Sequence, residues 1–398
     1  MLSHLHVKNI IVRLEELNEA GRRFAGLLLP NIQDLAPNFT PIFQEVGSAE
    51  RVQKSAKKRA LARSSLKVTP EITPGIDEIV CEASKRIYVS RSNLDVYVFP
   101  STDLNAFCFI DELPITIGLS SSLVESLKSE ELAFVVGHEV GHVFFNEICN
   151  FTPSPDCIED LIIARSIELT VDRIGLVASG KVEGAFGAIL KMLSGLSDRH
   201  LRRDFNKLLD ESREVLDDAS ADVLIYSTHP PLALRFKSLV SFSTSNEFFE
   251  LTGRRAASGI SLEQANNLIL KSLQRSVDRH AQAEIDSVIN EIGMWVACLL
   301  LLNKKTMSLS TLRENFSRRL AKEEIEKSYI YVTSYAKEIY SQVLQEKLFG
   351  ALAKGYRVAP RRTHTALVQF VKQNPEFKVL LNSPDFFMDS PKVMEIIV

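Results

Sequence analysis

The chain has 398 residues, of which 45% are hydrophobic and 24% are charged, and its formal net charge is −3. These are ordinary values for a globular protein, and the length allows two or three domains. The near-neutral charge excludes an overall bias toward nucleic acid or an anionic membrane surface.

Neither the apolar segments nor the cysteines indicate a membrane or an oxidising compartment. The longest apolar run, residues 292–302, is shorter than the roughly 20 residues that a spanning helix needs, so it predicts a buried core helix. The N-terminal residues carry scattered charges, unlike a signal peptide. The five cysteines contain no CxxC pair, although Cys149 and Cys157 could meet in space. We therefore expect a cytoplasmic protein without integral membrane association.

Three stretches of the chain differ in composition and in predicted secondary structure. Residues 1–75 predict helices, then a basic segment (51–67) and a linker containing Pro70. Without interleaved aromatic residues, the basic segment is typical of a solvated helix face, so nucleic acid is not favoured as a partner. Residues 76–245 predict a mixture of strands and helices, and residues 246–398 predict a helical domain of unknown role.

The middle stretch begins with a predicted helix over residues 76–85 and a small mixed sheet. Three runs rich in β-branched and aromatic residues predict strands, LDVYVF (94–99), NAFCFI (105–110) and ITIGLS (115–120). Turn-forming Pro, Asp and Ser residues separate the runs. The expected fold class is α+β and mostly helical.

Two well-marked helices follow the sheet. Ser129 is a suitable N-cap for a helix running to about residue 148. The second helix is predicted over residues 157–178, with Gly180 as its C-terminal stop. Further on, Ser261 and Gln264 form a possible capping box.

The first of these helices carries the sequence HEVGH. His138 and His142 lie four residues apart and share one helix face, where both imidazoles can bind one zinc ion. Glu139 lies beside the metal position, where a general base for a zinc-bound water belongs. Taken alone, the motif could also be two unrelated histidines. Gly137 and Gly141 predict a close approach by the sheet or by the second helix.

The second helix carries the sequence ELTVD. Glu168 can supply the third metal ligand and leave the fourth position open for water. Asp172, four residues later on the same face, can accept the free N–H of a liganding histidine. A solvated acidic pair is the alternative, but the neighbouring residues are apolar.

A third segment, THPPLALR, contains His229 and Arg235. The double proline predicts a rigid helix start, because proline is tolerated in the first turn. His229 could donate to the oxyanion of a tetrahedral intermediate, although a structural histidine is the commoner finding at such a position.

The order of these motifs resembles that of the M48 metallopeptidases over residues 76–242. The motifs are NAFCF, ITIGL, HEVGH, ELTVD and THPPLALR. The resemblance implies a zincin-like domain with a pair of active-site helices and one Zn²⁺ per chain. It also implies that Asn105 and His229 assist catalysis and that Arg235 supports the site.

The same resemblance implies that a polypeptide substrate binds as an added strand along an edge strand. We assign that edge to Ile115, Thr116, Ile117, Gly118 and Leu119. Transmembrane helices and export signals known from some members are not recognised in this sequence.

The sequence therefore predicts a zinc-dependent endopeptidase with Glu139 as its general base. The alternative is a zinc-stabilised scaffold or chaperone-like binding protein with little or no proteolytic turnover. Two histidines and one carboxylate could also hold a non-haem iron, which is a third hypothesis. The presence of Glu139 beside the site argues against it.

Overall fold

The computed structural model describes residues 4–30, 56, 58–109, 114–145, 154–202, 204, 207, 210, 226–255, 258–275, 277–303, 310, 326, 327, 329, 330 and 341–373. The described chain is mostly helical and contains one small mixed sheet, so the predicted α+β class is confirmed.

Twelve of the α-helices in the described residues and four strands are numbered here in chain order. The helices are α1 (His4–Ala25), α2 (Pro74–Arg86), α3 (Ser121–Ser126), α4 (Ser129–Phe144), α5 (Ile158–Ser179), α6 (Val182–Ser194), α7 (Leu232–Ser243), α8 (Asn246–Leu251), α9 (Leu262–Arg275), α10 (Val277–Asn303), α11 (Ser341–Val358) and α12 (Pro360–Gln373). The strands are β1 (Leu66–Lys67), β2 (Leu94–Phe99), β3 (Ala106–Phe109) and β4 (Ile115–Ser120).

The chain divides into two compact units. The first takes in the described residues of 1–152, 163–219 and 227–276, and the second takes in those of 153–162, 220–226 and 277–398. The domain boundaries at residues 75 and 245 stay a prediction.

Helices before residue 75 and after residue 245 carry buried residues of the first unit. On α1, Leu17 and Phe24 are buried in the same hydrophobic core as the sheet. On α9, Ile269 packs in a cluster with Leu169 of α5 and Leu234 of α7. Both flanking helices thus contribute apolar faces to the first unit.

The four strands lie in the order β1–β2–β4–β3. Strand β4 is parallel to β2 and antiparallel to β3, with Ile117 opposite both Val96 and Cys108. The prediction that residues 115–119 form the edge strand is therefore wrong. Because β4 lies between two partners, its backbone is paired on both sides, and all six of its residues are buried. Within the described chain, β3 forms the edge.

The local signals at the helix ends largely agree with the structure. Ser261 and Gln264 form the predicted capping box, with the Gln264 N–H donating to Ser261 Oγ at 3.1 Å and the Ser261 N–H to Gln264 Oε1 at 2.9 Å. Gly180 ends α5 with a positive φ of 70°. Helix α4 begins at Ser129, so the residue predicted as its N-cap is already helical. The N–H of Lys128, just before the helix, donates to the Glu131 carboxylate at 2.8 Å. Its predicted extension to residue 148 lies outside the described residues.

In the second unit, the apolar stretch of α10 forms core. Ile292, Val296 and Cys298 are buried, as the sequence predicts. Glu159 accepts hydrogen bonds from the N–H groups of Arg361 and Arg362, at 2.9 and 3.1 Å, in the first turn of α12. In the part of the chain that is described, no helix has the length and apolar character needed to cross a membrane.

Candidate metal centre

Helix α4 brings two histidines onto one face. The His138 and His142 rings lie 4.9 Å apart between centroids, and their Nε2 atoms are 3.2 Å apart. This arrangement follows from the helical repeat, which stacks side chains four residues apart. Both ring nitrogens therefore point toward one position beside the helix.

Helix α5 brings Glu168 to the same position. Its two carboxylate oxygens lie 3.6 Å from the Nε2 atoms of His138 and His142. One donor atom from each of the three residues lies within 4.8 Å of the other two. Among the residues that the structure describes, this is the one His, Cys, Asp and Glu group with metal-binding spacing.

Glycines on both helices allow this close approach. A Cβ at Gly137 would overlap Ala178 and would lie 3.1 Å from the Gly175 Cα. A Cβ at Gly175 would in turn lie 2.8 Å from the Phe134 carbonyl oxygen. Of the two neighbours that the sequence allows for Gly137, the structure therefore identifies the second helix, α5. The spacing of α4 and α5 sets the distance from the histidines to Glu168.

Asp172 holds one of the histidines. It is fully buried, and its Oδ1 lies 3.0 Å from the His138 Nδ1. When Nδ1 carries the proton and donates to this carboxylate, the Nε2 lone pair is free for a metal. Asp172 therefore makes the contact that the sequence predicts for it.

Arg235, from α7, neutralises Asp172 in the interior. Its Nε and Nη2 donate to the two carboxylate oxygens at 2.7 and 2.6 Å. Burial alone would raise the pKa of Asp172, but Arg235 and His138 hold that pKa well below its usual range. The Asp172 carboxylate is thus ionised and can accept a hydrogen bond from the imidazole N–H of His138.

The two histidines differ in their affinity for protons. Burial lowers the pKa of His142 to about 4, so this ring is neutral at pH 7. Burial also opposes a charge on His138, but the hydrogen bond with Asp172 and the charge of Glu168 raise its pKa. A metal ion would displace any proton at Nε2, because imidazole binds metals in its neutral form.

Glu139 lies next to the three donors and is not one of them. Its side chain is almost buried, and burial raises its pKa to about 6. The Cys108 thiol, on β3, partly opposes this rise in pKa. The sequence pattern assigns Cys108 no role. The alternation of side chains along a strand could have placed Cys108 on the opposite face from Phe107 and Phe109.

His229 lies at the rim of the site. Its side chain is 64% exposed, and its Nε2 is 3.8 Å from Glu168 Oε2. Thr228 Oγ1 lies 3.0 Å from its Nδ1, and Arg165 donates to the neighbouring Ser227 carbonyl at 2.9 Å. The segment ends where α7 begins at Leu232, in agreement with the helix start predicted at the two prolines.

Asn105 is placed differently from the other predicted residues. It is exposed just before β3, and its backbone exchanges hydrogen bonds with Ser120, from the Asn105 N–H to Ser120 Oγ at 3.0 Å and from the Ser120 N–H to the Asn105 carbonyl at 2.9 Å. No hydrogen bond between described residues joins its side chain to the metal-binding group.

Two histidines on one helix, a glutamate on a second helix and a free glutamate beside them form the donor set of a metallopeptidase. The family comparison agrees with this class. Residues 70–150 match the model of Peptidase family M48, which supports a metallopeptidase. The match includes β2, β3, β4 and the HEVGH motif, whereas Glu168 lies beyond it. None of the curated proteins compared with the sequence matches it.

Proposed function

We propose that this protein is a zinc-dependent endopeptidase in which His138, His142 and Glu168 hold the metal and Glu139 is the general base. The observation that carries the proposal is that the three donors lie together beside Glu139, a carboxylate that is not one of them. The family match supports metal-dependent proteolysis. We assign the protein to the cytoplasm, because Cys81 and Cys157 are thiols outside any disulfide, as a reducing compartment maintains them.

The residues present fit a zinc ion. Glu168 Oε2 is buried and accepts no hydrogen bond from the described residues, so a cation would satisfy it. Two imidazoles and one carboxylate are a ligand set of catalytic zinc, and they leave a fourth position for water or substrate. One ion per chain follows from one such group.

Bound zinc supplies a Lewis acid and lowers the pKa of water toward 7. Glu139 accepts a proton from the attacking water and passes it to the leaving amine. Its burial favours this role, because a carboxylate with a pKa near 6 is ionised at pH 7 and is still basic enough to take a proton. Asp172 and Arg235 keep His138 in one orientation throughout.

His229 is assigned to the developing oxyanion. Its exposed ring at the rim is free to approach a bound substrate, and Nδ1 is oriented by Thr228. We assign Asn105 a supporting role in substrate binding, because it lies exposed at the start of the edge strand.

The substrate is an extended polypeptide lying along β3, which replaces β4 in this role. Strand β3 pairs with β4 through one edge, and no described strand covers its other edge. An added strand could pair with residues 106–109 along this edge. Strand β3 packs against α4, the helix that carries Glu139.

The test uses a reduced, carboxymethylated protein as unfolded substrate. The metal-loaded enzyme should produce fragments, lose activity in a chelator and regain it with one equivalent of zinc. Glu139→Gln should keep its zinc and produce no fragments, whereas Glu78→Gln, at an exposed position on α2, should behave as the parent. Full activity in Glu139→Gln would refute the mechanism. Zinc binding without hydrolysis in the parent would support a scaffold instead.

A further inference from the structure

The segment that carries His229 is held by a buried arginine of α5. Residues 227–231 lie between Tyr226 and α7 and contain no helix or strand. The Arg165 side chain is 1% exposed, and its Nη1 donates to the Ser227 carbonyl oxygen at 2.9 Å. Because the donor carries a positive charge, this bond is stronger than one between neutral groups. One end of an irregular segment is thus anchored to α5.

The hydroxyl of Ser227 extends this anchor to His229. Ser227 Oγ donates to the His229 carbonyl oxygen at 2.9 Å and accepts the His229 N–H at 3.2 Å. Both backbone polar groups of His229 are therefore bound to the residue that Arg165 holds. Thr228 Oγ1 lies 3.0 Å from Nδ1 of the ring, so the side chain also has a contact within the same short segment.

The two ends of this arrangement lie on one face of α5. Arg165 and Glu168 are three residues apart, and side chains at that spacing are neighbours on a helix. Arg165 binds Ser227, whereas Glu168 Oε2 lies 3.8 Å from the His229 Nε2. The helix that supplies the third candidate metal ligand therefore also sets the distance of the His229 ring from that ligand.

We propose that Arg165 and Ser227 are positioning residues for His229: the buried guanidinium fixes the Ser227 backbone, and the Ser227 hydroxyl fixes the backbone of His229. The proposal rests on the proposed role of His229 as the donor to the oxyanion. Such a donor stabilises the transition state best when it is in place before the charge develops. An exposed histidine in an irregular segment needs an anchor for this, because a misplacement of about 1 Å can cost roughly 100-fold in rate.

Amide hydrogen exchange tests the anchor without any measurement of peptidase activity. Arg165→Met removes the donor and leaves an apolar side chain in its place. Mass spectrometry compares the exchange of the parent and the variant over residues 227–229 and over α5. We expect exchange in residues 227–229 to become about threefold to tenfold faster, while α5 exchanges as in the parent. Unchanged exchange in the segment, or an equal acceleration in α5, would overturn the anchor.

A double-mutant cycle on kcat tests the positioning role. Arg165→Met should lower kcat about 10-fold with little change in KM or zinc content, because the donor acts mainly in the transition state. In the His229→Ala background the same change should have no further effect, because the group that Arg165 positions is already absent. Arg199→Met, at an exposed position, is the control and should leave kcat unchanged in both backgrounds. If the losses of Arg165→Met and His229→Ala multiply, Arg165 does not act through His229 and the proposal is refuted.

Ser227 provides a second variant that leaves the buried arginine in place. Its side chain is half-buried in an irregular segment, so Ser227→Ala should keep the melting temperature of the parent. The variant should lower kcat about threefold to tenfold, which is the effect of losing a net hydrogen bond. Ser227→Thr keeps the hydroxyl and should recover most of that loss. Equal losses in the alanine and threonine variants would exclude positioning through the hydroxyl.

These measurements separate the inference from the proposed function. If the parent hydrolyses no peptide, the proposed function fails and the positioning role falls with it, while hydrogen exchange still reports whether Arg165 holds the segment. If the parent is active and His229→Ala lowers kcat but Arg165→Met does not, the inference about Arg165 alone is overturned.

Discussion

Arg235 and Asp172 form a two-point ion pair, with both carboxylate oxygens of Asp172 accepting from the guanidinium at 2.6 and 2.7 Å. The pair is buried, and one of the same oxygens also contacts His138 Nδ1. Arg235 therefore acts on the metal centre through two successive contacts. It keeps Asp172 ionised, and Asp172 in turn fixes the His138 ring.

The first prediction separates these two contacts. Asp172→Asn should weaken zinc binding by about 10- to 100-fold, because His138 loses the carboxylate that orients it. It should also lower the free energy of unfolding by about 3–5 kcal/mol, since Arg235 is left as a buried, unpaired charge. Chelator competition measures the affinity, and denaturant unfolding of the metal-free protein measures the stability.

A double variant provides the control for this prediction. Asp172→Asn/Arg235→Met removes the unpaired charge and should recover much of the lost stability without recovering the zinc affinity. If Asp172→Asn binds zinc as tightly as the parent, His138 does not depend on this partner.

The second prediction concerns the two histidine ligands. The parent should carry about one zinc per chain, and His138→Ala or His142→Ala should lose it, because each removes one of three protein ligands. Exposed His200 offers a matched control, and His200→Ala should keep its metal. Metal analysis of the purified proteins decides the matter. Full occupancy in either ligand variant would exclude this site.

The third prediction concerns His229. Its exposed side chain contributes little to packing, so His229→Ala should leave zinc content and melting temperature nearly unchanged. The loss of one oxyanion donor should lower kcat by about 100- to 1,000-fold. Both quantities are measured on one preparation. A lower melting temperature with unchanged activity per folded molecule would show that His229 is a structural residue and would restrict the catalytic set to the metal and Glu139.

The fourth prediction concerns the contact between α4 and α5. Gly137→Ala should lower the free energy of unfolding by about 1–3 kcal/mol, because the added methyl group meets Ala178 and the backbone of α5. This loss should appear although alanine favours a helix by about 1 kcal/mol. Zinc affinity should fall as well, because α5 carries Glu168.

Gly75→Ala is the control for this fourth variant. Gly75 lies in α2, and no described atom comes within 4 Å of a Cβ built there. Denaturant unfolding of both variants should show a loss of stability at residue 137 only. Equal stability in the two proteins would mean that α5 can move away from α4 without penalty.

The sequence was sufficient to predict the local elements and the three residues that lie together in the candidate metal centre. The helical period places His138 and His142 on one face, and the apolar surroundings of Glu168 distinguish it from a solvated acid. Gly180 and the Ser261–Gln264 box mark helix ends that the structure contains. Each of these signals is local, so it can be recognised from residues that lie close together in the sequence.

Pairing between distant segments was not predictable in the same way. A strand pattern gives the buried faces but not the neighbours, so β4 was assigned to the edge that β3 forms. The unbroken burial of residues 115–120 shows that both faces of β4 are covered, which does not identify its neighbours in the sheet. The packing of α1 and α9 within the first unit likewise depends on the folded chain.

The glycine contact between α4 and α5 has a consequence for how the metal is bound. Because the two backbones approach closely there, main-chain atoms set the separation of the helices that carry the histidines and Glu168. The three donors are therefore held near one another without an ion, so a metal that bound them would cost little conformational entropy. In this respect the centre differs from a small zinc module, which folds only around its ion.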